Sequence, residues 1–220
     1  MNHRASSRER ILQTAKELFY HYGFQMTSID DILRVSGVSR SNFYYHFPSK
    51  EALILAVIEQ RIAEFEAALL PSLQNRQISP ADRLARFFEQ ICQMQEQARM
   101  AGCSFGNMTA SLPTGPGNEQ YERYRQTLSR LFHRVEEAVR DCLTEGVHAG
   151  QFRNDLPPAE MATFLVASLQ GLLIVAKAHQ NTEALLCGLS VALHLLRLPG
   201  TSATPTSPKH SRHENTKPCR

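Results

Sequence analysis

Residues 39–50, "SRSNFYYHFPSK", gather side chains whose chemistry suits a polyanion. Ser39, Ser41 and Asn42 supply short hydroxyl and amide groups, Arg40 a guanidinium, Tyr44 and Tyr45 phenols, His46 an imidazole and Lys50 an ammonium. Short polar groups approach phosphate oxygens closely, and an arginine reaches the edges of bases. Lys50 stands where the next helical segment begins, so a phosphate there would meet both an ammonium and the positive end of a helix. Four aromatics fall within five positions, Phe43, Tyr44, Tyr45 and Phe47, and their spacing divides them. On a helical wheel Phe43 and Phe47 lie about 40° apart, the i, i+4 relation of a buried stripe. Arg40, Ser41, Asn42, Tyr44 and Tyr45 take the remaining arc. The alternative is that Tyr44, Tyr45 and His46 pack between neighbouring helices with only their polar ends wet.

Other chemistries find little support. None of the nine histidines stands in a metal-ligand pair on a helix face; His210 and His213 come closest, in a polar tail. No glycine-rich phosphate loop follows a strand and no nucleophile elbow occurs, so neither an enzyme nor a bound cofactor is expected. Five cysteines, odd in number and widely spaced, form neither a disulfide framework nor a metal knuckle, which fits a reducing cytoplasm. The polar start "MNHRASSRER" has no apolar core of a signal peptide. No window approaches eighteen unbroken apolar residues, so no membrane span is expected. Charge is uneven: residues 1–50 carry +3, residues 51–198 carry −3 and residues 199–220 carry +3. A basic head on an acidic body is the asymmetry of a chain whose head alone meets a polyanion.

The elements that must position these groups read as helices throughout. Ser6 or Ser7 caps a first helix with Ile11, Ala15, Leu18, Phe19 and Tyr22 on its apolar side, and Gly23 ends it. "TSID", Thr27 to Asp30, resembles a capping box for a short second helix. "SGVS" (36–39) is a tight turn, and Ser39 caps the third helix. Three short helices, the last two joined by a glycine-containing turn, describe a helix-turn-helix head. Ser49 restarts a helix whose apolar side runs from Leu53 to Leu69. Beyond Pro71 come a helix from about Ser79, a break at Gly102, a short amphipathic piece, and a loop, "PTGPGN" (113–118). A long helix then covers 119–147, an apolar one opens at "PPAE" (157–160), and a last one spans about 182–198. The fold class is therefore all-α. Residues 1–50 form the head, with its motif at about 28–47, residues 51–198 the body, and residues 199–220 a tail whose composition predicts disorder.

Residues Thr27 to Leu53, "TSIDDILRVSGVSRSNFYYHFPSKEAL", resemble the DNA-binding signature of the TetR family of bacterial one-component transcriptional regulators. The likeness covers about residues 8–60, and "YYHFPSKEAL" fits the family's strongest block. It implies a ligand-responsive regulator, more often a repressor, whose homodimer places two recognition helices in successive major grooves of a palindromic operator on double-stranded DNA. By position it assigns Thr27, Ser39, Tyr44, Tyr45, His46 and Lys50 to the DNA backbone, and Arg40 and Ser41 to bases. Ser41 stands at or beside a position where the family often has glycine. The last two helices would form the dimer interface, consistent with small residues Ala167, Gly171, Gly188 and Ala192. Tight packing inside one protomer explains those residues as well.

The body would bind a small effector between its middle helices. Phe87, Phe88, Ile91, Met94, Phe105, Met108, Phe132 and Phe164 are candidate lining, and each would serve equally as core. Lys177 and His179 offer polar contacts there or simply snorkel from a helix end. Cys103 follows Gly102 at an expected helix start and lies four residues after Arg99; both features would favour a thiolate, and "AGCSFGN" resembles the segment of family members that sense electrophiles or oxidants. The effector would then be a small apolar or electrophilic molecule. Otherwise Cys103 is a small buried hydrophobe, as Cys92, Cys142 and Cys187 look to be. An architectural DNA binder without a ligand is the reading if the body has no cavity.

Overall fold

Serines set the helix starts in the head. The computed structural model describes residues 6–113 and 119–197, the side chain of Gln120 apart, and the nine named elements within them are all α-helices. α1 (Ser7–Tyr22) begins at Ser6, whose hydroxyl accepts from the Glu9 N–H while the Glu9 carboxylate accepts from the Ser6 N–H at 2.7 Å. Each bond satisfies an N–H that the helix start leaves without a partner. α2 (Ile29–Ser36) begins one residue later than "TSID" suggested: Ser28 caps it and Asp31 closes the box. Thr27 is unavailable because it is buried, its hydroxyl donating to the Gly23 carbonyl at 2.9 Å. Gly37 ends α2 at φ 63°, where a side chain would be strained. α3 (Arg40–His46) starts at Ser39 and α4 (Lys50–Gln74) at Ser49, as the sequence indicates.

α4 runs from head to body without interruption, packing on α1, α5 and α7. Pro71 does not end it; the helix continues to Gln74. Pro71 lacks the N–H that would bond the Ala67 carbonyl, so the ladder loses one bond there while the helix runs on for three more residues. α5 (Pro80–Gln97), α6 (Ser104–Ala110), α7 (Glu119–His148), α8 (Pro158–His179) and α9 (Glu183–Leu196) complete the body, with α8 packed between α7 and α9. Arg83 ties α4, α5 and α7 together. Its buried guanidinium donates to the carbonyls of Ile78 and Leu73 and, at 2.7 Å, to the Glu145 carboxylate. Tyr22, placed on the apolar side of α1 from its spacing, is instead exposed, because α1 ends there and the chain turns away at Gly23. Most of the 113–118 loop, residue 198 and the tail at 199–220 lie outside the described residues.

Candidate nucleic-acid interface and effector cavity

The aromatic stretch in α3 divides as its spacing predicts. Phe43 and Phe47 are 0% and 3% exposed, whereas Tyr44 and Tyr45 are 46% and 83% exposed. Tyr44 rests edge-on against Phe43, centroids 5.3 Å apart, and Tyr45 against His46 at 5.0 Å. Arg40 and Ser41 are exposed beside them, Arg40 ion-paired with Asp30 of α2. Ser39 holds the Asn42 N–H at 3.3 Å and lies 3.2 Å from the Ser41 hydroxyl. Three of the candidate residues are occupied within the fold. Asn42 donates its side-chain N–H to the Ser7 hydroxyl at 3.0 Å, fixing α3 to the start of α1. Thr27 is buried as described. Lys50 is half-buried and donates to the Gln25 carbonyl at 3.4 Å; loss of water lowers its proton affinity. The side chains that reach solvent on α3 are Arg40, Ser41, Tyr44 and Tyr45, with His46 partly so, and the loop hydroxyl of Ser39 borders them.

Two connected chambers open in the body. The inner, about 130 Å³, is lined by side chains of α4 to α8 and by Tyr20 of α1, and includes Phe87, Ile91, Met94, Cys103, Phe105 and Phe132. The outer, about 770 Å³, lies between the end of α1, α4 and the α5–α6 turn, and takes in Met108 and Lys177. Tyr20, Arg61, Ala98, Ser104 and Phe105 border both. Two of the candidate lining residues belong to neither: Phe88 is buried in the core, and Phe164 points outward, 58% exposed. His179 borders neither chamber, whereas Lys177 donates to the Asn107 side-chain oxygen at 3.4 Å in the outer one. The turn between α5 and α6 takes positive φ at Arg99, Met100 and Gly102 and is clamped by Gln95, whose amide accepts from the Gly102 N–H at 3.0 Å. Cys103 follows, capping α6 with its sulfur 3.3 Å from the Gly106 nitrogen. Burial pushes its thiol pKa up, and the N–H groups of Gly106 and Phe105, Gln170 and Arg61 oppose that only in part. This reverses the thiolate expectation: desolvation outweighs the helix start, and the neighbouring cation is Arg61 rather than Arg99.

Residues 11–57 match the model of bacterial regulatory proteins of the tetR family, and residues 80–187 match that of the tetracyclin repressor-like C-terminal domain. The chain belongs to the TetR family of bacterial transcriptional regulators. It is 28% identical over 198 residues to the HTH-type transcriptional repressor DhaR of Mycobacterium sp. (strain GP1), covering 90% of this chain and 96% of that one. Identity to the repressor ComR of Escherichia coli (strain K12) is 27% over 184 residues, or 81% of this chain and 83% of the relative. The fold matches the TetR regulatory protein of Rhodobacter sphaeroides with a TM-score of 0.77 at 19% identity, covering 87% of this chain and all of that one (100%). Reduced E. coli NemR gives 0.75 at 22% identity, over 89% of this chain and 100% of that one. As a TetR-family member the chain is a helix-turn-helix regulator of transcription and not an enzyme.

In this TetR-family chain α8 is apolar enough, by length and composition, to cross a membrane, with mean hydropathy 1.7 over its most apolar window. Its apolar residues instead take two sides. Leu165, Leu169 and Leu173 are buried in the body, while Phe164, Ile174 and Val175 are exposed, as are Leu186, Val191 and Leu195 of α9. The small residues divide likewise: a side chain at Gly188 would strike Leu172 at 2.3 Å, whereas nothing lies within 4 Å of one at Gly171. Sequence patterning did not single out Tyr20, Arg61 or Gln170. A lone arginine on a long helix reads as part of a solvated face, and only the packing of α1 and α6 over it brings it to the cavity.

Proposed function

We propose that this chain is a repressor that grips a palindromic operator as a homodimer and lets go when a small molecule enters the body. The division of work follows the sequence reading: residues 1–50 for DNA, residues 51–198 for effector and partner, with chromosomal DNA placing it in the cytoplasm. The observation that carries the proposal is the cavity pair beneath the head. The outer chamber is walled by α1, and two hydrogen bonds span from head to body there: Tyr20 Oη donates to the Ala98 carbonyl at 3.2 Å and Gln25 Nε2 to the Ser111 carbonyl at 3.0 Å. A molecule that binds one arrangement of this junction better than another shifts the spacing of the two heads, and only such differential binding alters operator affinity. A body with these chambers favours this reading over an architectural DNA binder.

The outward apolar face of α8 and α9 supports dimerisation through the last two helices, since an apolar patch of this kind on an aqueous surface calls for a partner. For the effector, the apolar inner chamber favours reversible binding; the raised pKa of Cys103 leaves little thiolate for an electrophile. The test is selection of DNA from a random pool by the purified full chain, followed by sedimentation of the complex. A palindrome bound by two chains, or by a multiple of two, is expected; failure to enrich any sequence, or a stable one-chain complex, sinks the proposal. If an electrophile releases wild type but not Cys103→Ser, covalent sensing replaces the reversible reading.

A further inference from the structure

We infer that the molecule this cavity takes is a small amphiphilic acid, an aromatic ring or short hydrocarbon chain ending in a carboxylate, with its apolar part in the inner chamber and its carboxylate on Arg61. The inference deepens the repressor proposal and rests on its choice of this cavity as the effector site. Charge is the first ground. Among the described residues no aspartate or glutamate borders either chamber, whereas Arg61, Arg99 and Lys177 border the outer one together with the His21 imidazole. A cationic ligand would meet only like charge there, and a neutral one would leave the cations unanswered.

Arg61 is the second ground. It stands where the chambers meet, half-buried, its guanidinium 5.5 Å from the Tyr20 ring centre. None of the ion pairs among the described residues uses it. Glu64, one turn further along α4, is bonded to Lys16 and Gln60 and reaches Arg61 through its charge without occupying its donors. A guanidinium has five N–H donors in a planar fork that fits a carboxylate, and withdrawing it from water without an acceptor costs free energy. The Tyr20 face offsets part of that cost and leaves the donors open. Two neighbouring polar groups are committed, the Tyr20 hydroxyl to Ala98 and the Gln95 amide to Gly102, and the Ser104 hydroxyl beside them carries no charge.

Size is the third. The inner chamber, about 130 Å³, is close to an engineered apolar cavity of ~150 Å³ that holds one benzene ring. One ring or a comparably short chain fills it, and among the described residues Arg61 is the one cation that borders both chambers.

The experiment is calorimetric titration of the full chain, without DNA, with hydrocinnamate, the alcohol of the same skeleton and the corresponding amine. Wild type is expected to bind the acid about tenfold or more tighter than the alcohol, as a charge-assisted bond in a half-buried site implies, and the amine weakest of the three. Arg61→Gln should bring the acid down to the affinity of the alcohol while leaving the alcohol unchanged, and Arg61→Lys should keep part of the preference. Alcohol binding as tight as acid binding in wild type overturns the inference, as does binding of none of the three or an Arg61→Gln protein that still prefers the acid. Operator binding is measured separately. Acid that binds at Arg61 but leaves the operator occupied upholds the ligand class and sinks the release mechanism; acid that binds and releases the operator upholds both.

Discussion

Arg40 and Lys50 carry the same charge, but their surroundings suit them to the different tasks on DNA that the proposed function gives them. Arg40 is exposed on α3 in a direct but solvated ion pair with Asp30, one weak enough for its fork to exchange that partner for a base. Arg40→Ala is expected to relax preference at one operator position, at a cost of about 1–3 kcal/mol against the correct base. Lys50 is anchored near the Gln25 carbonyl at the start of α4 and offers a point charge to a phosphate. Lys50→Ala should weaken all operator sequences alike and make the salt dependence shallower by about one unit of slope. Anisotropy titrations over single-base operator variants at several salt concentrations distinguish the two, and interchangeable behaviour would show the assigned roles to be wrong. At this scale the sequence was legible where a residue's fate depends on its neighbours one turn away, as for Phe43 and Phe47. It was not legible for Asn42, whose partner Ser7 lies 35 residues back, or for Arg61, whose setting is made by α1 and α6.

The caps show how far the same legibility extends to elements. Serine starts were read correctly at Ser39 and Ser49, because a cap needs only the residues that follow it. The start of α2 was read one residue early because the burial of Thr27 against Gly23 is a tertiary matter. Asp31, which closes that cap and pairs with Arg34 at 2.8 Å, has its pKa lowered from 3.8 to about 2, chiefly by the Ser28 hydroxyl. A depressed folded pKa means that ionised Asp31 stabilises the head above 3.8, and that this contribution fades as pH falls from there through about 2. Asp31→Asn should therefore melt below wild type at neutral pH, with the gap closing over that acid interval; a gap independent of pH would refute a charged role. The glycines of α8 and α9 give a second contrast. Gly188→Ala drives a methyl into Leu172 and should cost the fold about 1–3 kcal/mol in a denaturant titration. Gly171→Leu, in open space on the outward face, should leave the fold's stability nearly unchanged and weaken self-association in sedimentation.

For the whole molecule the question is how a filled cavity reaches the DNA. α4 begins beside the recognition helix and ends deep in the body, so it links the two as one rigid rod. A rod alone transmits nothing unless the head sits differently on the body when the cavity is filled. The contacts that set that seat are the Tyr20 bond to Ala98 and the Gln25 bond to Ser111, which flank the outer chamber on either side of α6. Ala98 also belongs to the strained turn that delivers Cys103 and Phe105 to the cavity wall, so a ligand that moves this turn moves the acceptor of Tyr20. Tyr20→Phe combined with Gln25→Ala should therefore leave both the operator affinity of the unliganded protein and the affinity for hydrocinnamate within a few-fold of wild type. What should fall is the ratio between operator affinities with and without that acid, from the about 5–150-fold typical of such coupling towards unity. Full coupling in the double variant would move the transmission away from this junction and onto α4 itself.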